Sequence, residues 1–162
     1  MRRLVVLRHG AAAGKSAGGN DRDRPLTPDG RRAVETLGRR LKSDGLRPDH
    51  VLCSPARRAR ETLDGLAGML DPLPPADFDE ALYLADTTTL LDRLRAVPGG
   101  ARCLLLIGHN PGLEELVRGL ANPASAAVRP GLPAAGLAIF EIFGSWSALT
   151  QSSARLAAFL AP

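Results

Sequence analysis

The chain has 162 residues, 44% hydrophobic and 23% charged, with a net charge of +4. That length supports one buried core, so residues 1–162 read as a single domain. No apolar run reaches the roughly 20 residues that span a bilayer, and aromatics at 4% leave no stacking platform for nucleic acid; neither a membrane nor a nucleic-acid partner is expected.

At the N-terminus, "MRRLVVLRHG" has too few apolar residues for a signal-peptide core, so the cytoplasm is the expected location. Residues 4–7 read as a buried strand ending at Arg8, His9 and Gly10. The glycine-rich stretch 11–25 then reads as a mobile loop over one end of a sheet. "LTPDGRRAVETLGRRLKSDG" predicts a helix with Thr27 as N-cap, Pro28 at its first position and Gly45 at its stop. "DHVLCS" reads as a second strand, and "SPARRARETLDGLAGML" as a helix with Pro55 in its first turn.

"DPLPPADFDEALYLAD" reads as an irregular proline-rich crossing, followed by a helix in "TTTLLDRLRAV", a central strand in "ARCLLLIGHN" and a helix in "PGLEELVRGLA". "GLAIFEIF" and "ARLAAFLA" predict two final strands, antiparallel because only a short connector joins them. The alternation predicts an α/β fold, a three-layer α/β/α sandwich with a largely parallel central sheet. A monomer is expected. Cys53 and Cys103 lie in apolar runs without metal-type spacing and read as buried thiols.

Three strand-to-helix junctions, "LVVL-RHG", "VLC-SPARR" and "LLLI-GHN", carry unusual polar residues. Ligands of open α/β sheets bind beyond the carboxyl ends of the strands, so these segments converge. What arrives is Arg8, His9, the Arg57/Arg58 pair and His109: cations and donors with few acceptors, the chemistry of a phosphate or sulfate site. The arginines would repel a divalent cation and no carboxylate adjoins either histidine, so no metal or other cofactor is expected. His50 is given no role. Positive charge around His9 favours a neutral ring, able to attack phosphorus and form a phosphohistidine that water hydrolyses. A leaving group needs a proton, for which Glu80 is the first candidate, ahead of Asp79 and Asp77.

Other phosphate chemistries fit poorly. "GAAAGKS" spaces its glycines one residue short of a P-loop. The sixth residue after Cys53 is Ala59 and after Cys103 is His109, not the arginine of a cysteine phosphatase. Asp21 and Asp23 fall in a polar loop rather than at a strand end, and no GxSxG elbow is present.

"LRHG", "RPLTPDG", "SPARRARET" and "LLLIGHNPGLEEL", in that order, resemble the histidine phosphatase superfamily with its phosphoglycerate-mutase-like fold, and most of all the SixA-type branch. The resemblance implies that His9 is the nucleophile, that Arg8, Arg58 and His109 bind the phosphoryl group, and that Arg58 rather than Arg57 fills the motif. It implies a phosphorylated substrate, a phosphohistidine protein for the SixA branch. A phosphatase of a small phosphorylated metabolite and a non-catalytic phosphate-binding module would keep the same site.

Overall fold

The computed structural model describes residues 1–162 except 17, 18, 122–124 and 129. Its strands are β1 (Arg2–Arg8), β2 (His50–Cys53), β3 (Ala76–Phe78), β4 (Cys103–Gly108), β5 (Leu137–Ile142) and β6 (Ala154–Leu160). Its α-helices are α1 (Pro28–Ser43), α2 (Arg57–Ala67), α3 (Thr87–Arg95) and α4 (Gly112–Leu120). The strands form one sheet in the order β3-β2-β4-β1-β5-β6.

Alternation along the strands divides the interior into two layers. Leu4 and Val6 of β1 and Leu104 and Leu106 of β4 meet Leu90 and Leu94 of α3 and Leu113, Leu116 and Val117 of α4. On the opposite face Val5, Leu7, Leu105 and Ile107 meet Val34 and Leu41 of α1 and Leu63 and Leu66 of α2. Strand β4 is buried along its whole length, as a central strand covered on both faces must be. The single tryptophan, Trp146, is fully buried in the α3/α4 layer and donates its indole N–H to the Ala101 carbonyl (2.9 Å), just before β4 begins.

Local signals explain the boundaries. Thr27 accepts from the Gly30 N–H at the start of α1, and Gly45, just past its end, takes a positive φ of 72°. The sheet is largely parallel, as expected, through β3-β2, β2-β4 and β4-β1, and the final pair β5-β6 is antiparallel, also as expected; the one unexpected pairing is β1-β5, which is antiparallel too. Prolines hid β3, a three-residue edge strand inside the segment read as irregular. Pro55 precedes α2 rather than sitting in its first turn, because the helix opens at Arg57. Within the loop 11–25, Ala12 bridges Leu26 and Asp21–Asp23 form a 3-10 turn, while positions 17 and 18 lie outside the described residues. No helix of the described residues is long and apolar enough to cross a membrane.

Candidate active site

Parallel pairing of β1 with β4 brings Arg8 opposite Gly108, so the next residues on each strand, His9 and His109, emerge side by side. The His9 N–H continues the ladder to the Gly108 carbonyl (3.1 Å), and the imidazole centroids are 5.2 Å apart. Beyond β2, Ser54 continues its own ladder to the Ile107 carbonyl (3.0 Å), which carries its hydroxyl to His109. From the first turn of α2, Arg58 reaches both rings while only 2% exposed. Its Nε donates to His9 Nε2 and its Nη2 to His109 Nδ1, each at 3.3 Å.

These partners decide the tautomers. The Gly10 carbonyl can only accept, so His9 Nδ1, 2.7 Å away, carries a hydrogen and Nε2 keeps its lone pair. Arg58 can only donate, so His109 Nδ1 is an acceptor and its Nε2–H donates to Ser54 Oγ (2.7 Å). Burial pushes His9 down to about 4, against the Gly10 hydrogen bond and with help from Arg58, Arg8 and Arg24. Burial likewise pushes His109 down to about 3, with His9 and Arg58 adding to it. Both rings are therefore neutral at pH 7, though desolvation outweighs the positive charge that sequence reasoning credited.

The arginines divide clearly. Arg8 anchors Nη1 on the Leu132 carbonyl (3.1 Å) and leaves a buried Nε with no partner. Arg57 instead turns outward, its side chain 53% exposed and paired with Glu61 at 3.0 Å. Glu80 stands at the rim: its carboxylate is 72% exposed and bound by Arg22 (2.6 Å), with no hydrogen bond to either histidine. Arg22 in turn lies over the Tyr83 ring, whose edge meets His109 at 5.5 Å between centroids. Asp79 caps Ala81 and pairs with Arg93, and Asp77 lies exposed on β3. Among the described residues no group of three or more His, Cys, Asp or Glu is placed to hold a metal ion.

Sequence reasoning missed three supports. Thr62 of α2 accepts the Gly10 N–H (3.0 Å) and donates to the Arg58 carbonyl (2.7 Å), tying the histidine loop to the helix. Ser54 fixes the His109 ring. Asp21, dismissed as a loop aspartate, binds Arg58 together with Tyr83 and Arg24. The serine and threonine were visible inside "SPARRARET"; nothing in the sequence tied residue 21 to 58 or 83.

The cluster presents a lone pair beside fixed cationic donors, which suits nucleophilic attack on a tetrahedral anion. The family model of the histidine phosphatase superfamily (branch 1) matches residues 4–83. An uncharacterized protein of Mycobacterium leprae is 32% identical over 149 residues, 88% of this chain and 89% of its own. A structure from Nakamurella multipartitia, assigned to the SixA phosphohistidine phosphatases, is 33% identical with a TM-score of 0.86, covering 99% of this chain and 96% of that one. The protein histidine phosphatase SixA complexed with tungstate is 25% identical with a TM-score of 0.80, over 98% and 96% of the two chains.

Proposed function

The chain belongs to the histidine phosphatase superfamily, and from that premise we propose that it is a SixA-type phosphohistidine phosphatase. Its substrate class is then a phosphorylated protein histidine, and its reaction a two-step hydrolysis through His9. The observation that carries this reading is the His9 ring: neutral, fixed by Gly10, with the Nε2 lone pair turned toward the buried Arg58.

In the first step Nε2 attacks phosphorus and the P–N bond to the substrate imidazole breaks. That imidazole leaves neutral when its other nitrogen holds a proton, so this substrate makes little demand on a general acid. In the second step water attacks the phosphorus on His9 and inorganic phosphate departs. Arg8, Arg58 and His109 hold the phosphoryl oxygens and offset their growing charge, work that a divalent cation does elsewhere. Ser54 allows His109 to take part, because a hydroxyl that now accepts from Nε2 can instead donate to it, freeing Nδ1–H for the anion. For ester substrates, whose alkoxide needs a proton, Glu80 is the group assigned to deliver it, as a carboxylic acid that has parted from Arg22 and taken up a proton from solvent. Tungstate is a tetrahedral oxyanion, and its complex with a SixA protein of matching fold supports binding of such an anion by this fold.

The test is turnover of p-nitrophenyl phosphate and of a phosphohistidine protein, with EDTA present. Both are expected to be hydrolysed, and His9→Ala should lose about 10³-fold or more in kcat. Acid quenching should trap a labile phosphoryl group on the protein. Activity that needs Mg²⁺, or that survives loss of His9, would refute the reading.

A further inference from the structure

A guanidinium carries five N–H donors in a planar fork, and the surroundings of Arg58 sort them by edge. The Nε–Nη2 edge faces the two histidines, at 3.3 Å from His9 Nε2 and from His109 Nδ1. The Nη1–Nη2 end is taken by a single residue: Nη1 donates to the Asp21 backbone carbonyl (2.7 Å) and Nη2 to Asp21 Oδ2 (3.0 Å). From this division we propose that Asp21 is a positioning residue, a clamp on the end of Arg58 that keeps its Nε–Nη2 edge aimed at the phosphoryl oxygens. The proposal rests on the phosphatase reading above and deepens it.

Three features make the clamp stiff. Tyr83 donates its hydroxyl to Asp21 Oδ2, and Arg24 donates to Oδ1 (3.0 Å) while its Nε holds the Ala13 carbonyl (2.6 Å). The 3-10 turn carrying Asp21 is capped by Asn20, whose side chain accepts from the Asp23 N–H. The Tyr83 hydrogen bond, then those of Arg24 and Arg58, hold the Asp21 carboxyl far below the usual carboxylate range, so it is a permanent acceptor. Burial and Asp21 keep the Tyr83 phenol protonated, hence a permanent donor.

The clamp also solves a charge problem. Arg58 is nearly inaccessible, and a buried guanidinium without a counter-charge is costly. Placed on the far edge, Asp21 supplies that charge without occupying the donors that face His9. A carboxylate on the near edge would instead compete with substrate. Removal of Asp21 lets the guanidinium rotate about its Cδ–Nε bond, and the transition state suffers most because its equatorial oxygens carry the most charge.

The experiment compares the full chain with Asp21→Ala, Asp21→Asn and Tyr83→Phe in p-nitrophenyl phosphate kinetics, vanadate inhibition and thermal melting. Asp21→Ala is expected to lower kcat about 100-fold, with a smaller rise in KM and weaker vanadate inhibition. Asp21→Asn keeps an acceptor for Nη2 but loses the charge, and its kcat should fall less, to between about threefold and 10-fold below the parent. Tyr83→Phe should fall between the parent and Asp21→Ala without a matching loss of melting temperature. If Asp21→Ala does not fold, the other two variants decide, each expected to lower kcat while folded. Folded variants that keep kcat and vanadate inhibition within about threefold would overturn the clamp, leaving only a structural ion pair. An unmodified chain that neither turns over substrate nor responds to vanadate would instead overturn the phosphatase reading itself, and the clamp with it.

Discussion

Burial leaves His9 and His109 neutral across the pH range in which a phosphate ester is a dianion, so the nucleophile proposed above and its substrate are ready under the same conditions. An NMR titration of the histidine Cε1–H signals should give midpoints below pH 5 for both, and one near 6.5 for either would contradict this account. The sign of the stability effect follows. The folded state binds fewer protons than the unfolded chain between about pH 4 and 6.5 for His9, and from about pH 3 for His109. The stability due to the neutral rings is therefore complete above 6.5 and is lost as pH falls toward those values. At this scale, residues within strand-end motifs were legible: His9, His109 and Arg58 each follow a recognisable apolar run. Asp21 and Tyr83 were not, because their contacts span 37 and 62 positions of sequence and no local pattern encodes them.

Helix α1 begins against the loop that leaves His9, and a glycine sets the distance. A Cβ on Gly30 would lie 2.2 Å from the Ala11 carbonyl oxygen, which is backbone and has little room to move. Gly30→Ala is therefore expected to cost about 1–3 kcal/mol and to lower activity by shifting the chain just past His9. Gly68→Ala, whose Cβ meets nothing within 4 Å, serves as the control and should melt at or above the parent temperature. Equal melting of the two variants would sink the argument. The same close packing recurs where α4 starts, with 1.9 Å between a Cβ on Gly112 and the Ala85 carbonyl. Helix α1 was readable from Thr27, Pro28 and Gly45, since capping chemistry is local. Strand β3 was not, because its pairing with β2 comes from the neighbour rather than from its own proline-flanked sequence.

The whole molecule joins a parallel half, β3-β2-β4-β1, which carries the histidines at its carboxyl ends, to an antiparallel half of β5 and β6. The layers and the α/β class were legible from alternating strand and helix patterns. Antiparallel entry of β5 beside β1 was not, because hydrophobic periodicity gives a strand its faces but not its direction. Trp146 belongs to the end of the sheet away from the histidines, since its partner Ala101 precedes β4 and His109 follows it. The intervening strand sets a separation of roughly 20 Å. This gives the molecule a built-in fluorescent reporter that is blind to the site: emission should be that of a dry indole, unmoved by saturating vanadate. It should shift to the red only as the α3/α4 layer opens to water. A vanadate-induced change in that emission would mean that the two ends of the sheet communicate.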